Sequence, residues 1–553
     1  MLTSRWPVLL LLVWAGACAP TQTVSNVPAA PAPAPAPAPA PQVADDPPPP
    51  PAAPAATLTV APDDWWLLDP ETDGIFGTGA ERAYQELLAG REPQRTVVVA
   101  VLDSGVDIEH EDLDDNIWVN EREVPGNGQD DDGNGYVDDV HGWSFLGNAA
   151  GEDVHYDTYE VTRLYVECRD RGELETPACQ AIAAELESER EEASRILEQY
   201  RAMSNTLDQV MQYLERYLSV DSLTVEQVAG IQTLQPDVMQ ARQIYLQFME
   251  AGATPNALQD GIESLSGQLE YGLNPDFDPR PIVGDDYSDP NERIYGTNRV
   301  EGPAADHGTH VAGIIGAERD NGLGVDGIAS AVQIMVVRTV PQGDERDKDV
   351  ANAIRYAVDN GAHIINMSFG KGFSPQKELV DEAVRYAESR GVLMVHAAGN
   401  DGVDLDEEPH FPNRFYQDGG TAELWIDVGA SNWQGPDRLA APFSNYSRTR
   451  VDVFAPGMEI LSTTPNNQYE RNQGTSMAAP VVSGLAALLM AYFPDLTAAQ
   501  VREVILETAT RFPGQQVTRP GGGGQIPFEE LSVTGGIVNA YAAVQRAMEL
   551  TGR

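Results

Sequence analysis

The chain has 553 residues, 42% of them apolar, enough to bury a substantial core as one large domain or two ordinary ones. Its 85 acidic residues against 35 basic ones leave a formal net charge of -50. Such a surface repels phosphates, which argues against binding to nucleic acid or to an anionic membrane surface and makes a cation the better-matched partner.

Residues 1–18 carry one positive charge at Arg5 and then an apolar run too short to span a bilayer as a lasting anchor, the pattern of an export signal. It ends in Ala15-Gly16-Ala17-Cys18, which resembles a bacterial lipobox. That resemblance implies cleavage before Cys18 and a lipid on it, so membrane contact is expected only through that lipid and the protein is expected at the cell envelope or secreted. Residues 19–58 are rich in Pro and Ala, including the run from Pro47 to Pro51, and read as an extended, coreless tether.

Folded sequence is expected from residue 59 onward. Apolar runs at Thr96 to Leu102, Gln333 to Arg338, His363 to Met367, Val392 to His396, Leu424 to Val428 and Val451 to Phe454 read as buried strands. Amphipathic or apolar stretches at Asp349 to Asn360, Gln376 to Ser389, Ser476 to Tyr492, Ala498 to Ala509 and Ile537 to Leu550 read as helices. Continuous apolar strands alternating with helices predict an α/β fold with a mainly parallel sheet covered on both faces. From 152 to 273 the sequence turns to Glu, Gln, Leu and Tyr with long helical periodicity, so an all-helical insertion is expected between two parts of one domain, 59–151 and 274–553. Cys168 and Cys179 lie close together in an exported chain, and either a local disulfide or two buried thiols fits them.

Three segments carry chemistry. Asp103-Ser104-Gly105-Val106-Asp107 follows the first strand, placing a carboxylate at a parallel strand's C-terminal end, where such sheets build sites. Asp306-His307-Gly308-Thr309-His310 opens a helical run; His307 and His310 also have metal-pair spacing, but no HExxH pattern and no suitable third ligand accompany them. Gly474-Thr475-Ser476-Met477-Ala478-Ala479-Pro480 puts a serine at a helix start, with Pro480 expected in the first turn.

The three segments, in the order Asp, His, Ser, resemble the subtilisin family of serine peptidases, and the likeness runs from about Trp65 to the C-terminus apart from the helical stretch. The resemblance implies the subtilisin fold, Ser476 as nucleophile, His307 as general base and Asp103 as the carboxylate that orients it. It implies Asn400, in Ala397-Ala398-Gly399-Asn400, as an oxyanion donor beside the Ser476 N–H. It also implies that Ser368-Phe369-Gly370 pairs with extended protein or peptide substrates and walls the specificity pocket, with Ala397, Ala398 and Gly399 opposite. Small residues there suggest room for a sizeable apolar side chain. Two departures stand out: Asp103 and His307 are 204 positions apart, and no space for a usual folding pro-domain is expected before Asp103. A catalytically silent binding or scaffold protein at the envelope is the alternative, and loss of a triad member or of Asn400 would mark it; none is lost.

A structural Ca2+ site is expected in the loop Asp130 to Asp139. Asp130, Asp132 and Asn134 supply oxygens at alternate positions, Gly135 allows a sharp turn, and Tyr136 offers its carbonyl. His141 stands where the EF-hand pattern has its closing Glu, so Asp138 or Asp139 is expected to close the site. Asp112 resembles a calcium ligand of the family. No cofactor is expected for catalysis, and nothing in the sequence sets the oligomeric state.

Overall fold

The computed structural model describes residues 60–553; the export signal, Cys18 and the Pro/Ala-rich stretch lie outside the described residues. Strand β1 (Val97–Asp103) is a Val-rich run buried along almost its whole length, as a strand covered on both faces must be. Short β2 (Gly142–Ser144) follows, then β3 (Val332–Arg338), β4 (Ile364–Met367), β5 (Leu393–Ala397), β6 (Trp425–Ser431) and β7 (Val453–Pro456). They form one sheet with β10 (Thr510–Arg511) and β13 (Gly536–Ile537), in the order β10-β13-β7-β6-β5-β4-β1-β3-β2, parallel throughout except for β10 against β13. β1 lies between β3 and β4, so the strand order reverses at β1, the chain crossing from β3 on one side to β4 on the other, and a crevice opens at the C-terminal ends there.

Helices α1 (Glu160–Asp170), α2 (Pro177–Leu218), α3 (Pro236–Glu250) and α4 (Pro255–Gly267) intervene between β2 and β3 and project as an arm. α2 has 42 residues, a length of about 63 Å at the α-helical rise. Thr176 caps it and Pro177 occupies the first helical position, where a missing N–H costs little. Cys168 and Cys179 are bonded, Cα to Cα 5.8 Å, and fasten α1 to α2. The far end of the arm has a small core of its own, in which Leu207, Val210 and Leu214 of α2 meet Val238, Tyr245 and Phe248 of α3.

One face of the sheet is covered by α5 (Asp306–Gly316) and α8 (Thr475–Tyr492), the other by α6 (Asp347–Asp359) and α7 (Lys377–Ser389). α8 is long and apolar enough to cross a membrane by composition, yet 94% of that stretch is buried in this fold. Truncating a side chain inside it, such as Leu485→Ala, is expected to cost about 2–5 kcal/mol. α9 (Ala498–Glu507) and α10 (Ala540–Thr551) complete the layer. α10 begins three residues later than the sequence suggested. Ile537 pairs in β13, and Asn539 then caps the helix by accepting from the Ala542 N–H.

Pro480 is not in the first turn of α8, because the helix starts at Thr475 and Pro480 is its sixth residue. Proline has no N–H to give the carbonyl four residues earlier. That carbonyl belongs to Ser476, and it accepts instead from the Ser368 hydroxyl at 2.9 Å.

Candidate active site

Asp103 ends β1, buried, with Oδ1 accepting from the Ser104 N–H at 2.7 Å and facing His307 Nδ1 at 2.7 Å. His307 is the second residue of α5, whose small residues allow close packing on α8. Burial opposes a charge on His307, but the Asp103 carboxylate outweighs it and raises the imidazole pKa above its ordinary value. With Nδ1 on Asp103, Nε2 is the nitrogen left for chemistry. Arg338, buried on β3, donates to Ser104 O at 2.9 Å and to Leu146 O at 3.2 Å, so a single cation pins the loop that follows Asp103. Nothing in its strand-like surroundings marked Arg338 in the sequence.

Ser476 stands in the first turn of α8 and its hydroxyl donates to Ser368 O at 3.0 Å; no hydrogen bond to His307 is formed among the described residues. Ser368 follows β4 and is fixed from behind, its hydroxyl accepting from Asn366 Nδ2, while Asn366 Oδ1 accepts from the Ser483 hydroxyl. Asn400 follows β5. Its Oδ1 accepts from the Thr475 N–H at 2.8 Å and the Thr475 hydroxyl at 3.0 Å, and Nδ2 has no hydrogen-bond partner among the described residues. A β-carbon at Gly474 would stand 3.5 Å from both Asn400 Nδ2 and Ser476 N, so glycine keeps side-chain bulk away from both donors. His310 is held structurally, Nε2 against the carbonyls of Ile460 and Glu470, and burial pushes its pKa down to about 4.

Ser368, Phe369 and Gly370 lie on one side of the crevice and Ala397, Ala398 and Gly399 on the other. The space between them is not the roomy apolar slot that their small side chains suggested. The His410 ring, from a segment 40 positions past Gly370 in the chain, stands in it against Gly370.

The acidic loop is closed by its own hydrogen bonds. Asp130 accepts from the N–H groups of Gly133, Asn134 and Gly135, and Asn134 Oδ1 accepts from the Tyr136 N–H. Asp138 accepts from the Asn127 and Gly128 N–H groups, and Asp139 accepts from Asn120, Asn134 and the Tyr356 hydroxyl. Both thus hold loops, and among the described residues the cluster of acids around Asp130 does not include them. Burial raises the Asp139 carboxyl to about 6 despite those donors. The acid that joins Asp130 and Asp132 is Glu123, from before the loop, with ligand oxygens of all three within 4.8 Å of one another. Glu123 Oε2 is buried without a partner, so the oxygen set fits a hard cation although Arg122 also pairs with Asp132. Asp112 lies elsewhere, accepting from Asn321 Nδ2 and the Val325 N–H.

Residues 94–524 match the family model described as Subtilase family. A thermophilic serine proteinase of Bacillus sp. (strain AK1) is 39% identical over 263 residues, 46% of this chain and 59% of that protein. Subtilisin DY of Bacillus licheniformis is 36% identical over 208 residues, 37% of this chain and 70% of the relative. The major intracellular serine protease of Bacillus subtilis (strain 168) is 41% identical over 190 residues, 34% of this chain and 55% of that protein. The chain thus spans between 55% and 70% of the lengths of these relatives. A solved protease structure from Pseudoalteromonas arctica PAMC 21717 aligns over 88% of this chain and 97% of its own at 22% identity and a TM-score of 0.46.

Proposed function

The chain belongs to the subtilase family, and on that premise we propose that it is a serine endopeptidase working through Asp103, His307 and Ser476. The observation that carries the reading is the 2.7 Å contact of His307 Nδ1 with buried Asp103, which reserves Nε2 for a serine proton. In the reaction the Ser476 hydroxyl leaves Ser368 O, gives its proton to Nε2, and its oxygen bonds to the substrate carbonyl carbon. Asn400 Nδ2 and the Ser476 N–H, which lie on the same side of Gly474, are the donors that receive the oxyanion. Imidazolium then protonates the departing amine, and water, with His307 again as base, hydrolyses the acyl-enzyme. Asp103 stays ionised throughout and fixes the tautomer. Backbone of an extended peptide laid along Ser368-Phe369-Gly370 brings the scissile carbonyl over Ser476.

The test is hydrolysis of an unfolded protein by the purified chain. Ser476→Ala is expected to fold normally and lose all but residual turnover; wild-type turnover by that variant would refute the assignment and favour a silent scaffold.

We further propose that the protein is exported and held at the envelope by a lipid on Cys18, a reading supported by its N-terminal sequence. Metabolic labelling with a tagged fatty acid should mark the wild type and not Cys18→Ser. We also propose a structural Ca2+ bound by Glu123, Asp130 and Asp132, supported by the unpartnered buried Glu123 oxygen. A ligand bound only by the folded form adds about 2.7 kcal/mol at a hundredfold excess over its Kd. Chelation should lower Tm, Ca2+ should restore it better than Mg2+ at matched ionic strength, and Glu123→Gln should blunt the response. Equal rescue by both ions would reduce the loop to a solvated turn.

A further inference from the structure

The crevice beside Ser476 is bounded by the segments that leave neighbouring strands β4 and β5. Ser368 O touches the Ser476 hydroxyl, and Asn400 holds the Thr475 backbone. A carbonyl positioned for attack with its oxygen received by Asn400 Nδ2 and the Ser476 N–H must place the side chain next to it in this crevice. Both walls are glycine at the same depth, Gly370 and Gly399, and two facing glycines ordinarily leave a deep slot. Here the His410 imidazole takes that space: a β-carbon at Gly370 would collide with its Cε1 and lie 2.7 Å from Nδ1 and 2.9 Å from Nε2, and one at Gly399 would lie 3.2 Å from Cε1.

The backbone that carries the ring is fastened on both sides of it. Phe411, the next residue, exchanges two backbone hydrogen bonds of 2.9 Å with Lys371, the residue after Gly370. Asn413 Nδ2 donates to His410 O at 2.8 Å. Behind it stands His396, its ring centroid 6.0 Å away, pinned between Asp427 at 2.9 Å and Phe369 O at 3.0 Å. The cavity behind the ring, lined by Leu405, Pro412, Phe415 and Arg450 among others, has room for about one water, so the imidazole cannot retreat into it. Burial, reinforced by His396, pushes the His410 pKa down to about 4, so the ring is neutral at neutral pH and is no anion trap. Neither ring nitrogen is hydrogen-bonded among the described residues, and Nδ1 is buried.

We propose that His410 is a specificity-determining residue that shortens the pocket beside Ser476, so that the enzyme cleaves after alanine or serine and rejects leucine and phenylalanine. The proposal rests on the serine-peptidase reading of the same site. The experiment uses the full chain, first titrated with a fluorophosphonate, on tetrapeptide p-nitroanilides that differ only in the last residue: Ala, Ser, Leu or Phe. Wild type should show kcat/KM at least about tenfold higher for Ala and Ser than for Phe, the size of discrimination that a filled apolar pocket supplies. His410→Gly should raise the Phe-to-Ala ratio by about tenfold or more. Normal fluorophosphonate uptake with a Phe preference in wild type, or an unchanged ratio in a titratable His410→Gly, would overturn the proposal alone. Should His410→Gly fail to titrate, His410→Ala provides the same ratio, and the wild-type preference already decides. No uptake at Ser476 would overturn the peptidase reading and this proposal with it.

Discussion

Strand β1, which delivers Asp103, is apolar and buried on both faces, whereas the joint between the helical arm and the sheet domain is built from charges closed off from water. At that joint Lys371 Nζ lies 2.7 Å from Glu160 on α1 and 2.9 Å from Asp347, and donates to Glu345 O at 2.8 Å. Arg163 pairs with Glu160 at 2.7 Å and Arg346 with Asp157 at 2.7 Å. Burial works against the Glu160 charge, but Arg163 and Lys371 overcome it and hold the carboxyl down to about 2. Burial, reinforced by Asp344, pushes the Glu345 carboxyl up to about 8 although Lys371 pulls it down. The contrast teaches where each region is vulnerable. A buried ionic joint gains little over an apolar one but is costly to leave half-made, while the catalytic end depends on a few atoms held by an apolar frame. Lys371 also follows Gly370 directly, so the arm is fastened at the edge of the candidate site.

The comparison can be broken in order of expected energy. Asp103→Asn should cost about 10⁴ in kcat, close to 5.5 kcal/mol of transition-state stabilisation, because the imidazole loses the anion that fixes its tautomer. The pH profile carries the same information. Neutral His307 is the base, so kcat/KM in wild type should fall as pH drops through a pKa above the ordinary histidine value. In the Asn variant burial dominates and that limb should move to lower pH. A limb that does not move would detach Asp103 from His307.

Lys371→Met should destabilise the fold by about 3–5 kcal/mol in urea unfolding, since Asp347 would be left buried without its cation and Glu160 would keep only Arg163. A change under 1 kcal/mol would show that the joint is wetter than its side-chain exposures of 1–4% indicate.

Asn400→Ala should cost about 10²–10³ in kcat, a size borrowed from the equivalent change in a subtilisin, with stability little altered because Asn400 is exposed. The smallest effect belongs to the arm. Excising residues 165–270 keeps Glu160 and Arg163, and the Tyr159 N–H to Gly272 O bond of 2.9 Å shows that the cut ends approach one another. Joined by a short flexible link, this protein should hydrolyse small peptides within about threefold of wild type, under 1 kcal/mol. Failure to fold would make the arm part of the domain core.

Much of the sheet domain was legible because its strands are unbroken apolar runs, and β1, β3, β4 and β5 fall within one or two residues of their expected bounds. Asp103, His307, Ser476 and Asn400 were legible because each sits in a long motif at a strand or helix end. The hairpin β8 (Ile460–Thr464) and β9 (Gln468–Asn472) was not, because Gln468-Tyr-Glu-Arg-Asn472 is polar and partly exposed and carries no apolar alternation. Glu123, Arg338, Lys371 and His410 were invisible for a different reason: each gains its role from a partner far away in the chain, and its own neighbours are those of an ordinary surface or strand residue. The disulfide lay between the two, since spacing allowed it but only the meeting of α1 and α2 decides it.

The most direct measurement is intact-mass and peptide mapping of the purified chain after reaction with a fluorophosphonate. A working triad predicts one equivalent bound, located on Ser476, with hydrolysis lost in proportion and the label absent from Ser476→Ala. Persistent hydrolysis without label on Ser476, or no label on a folded protein, would contradict it.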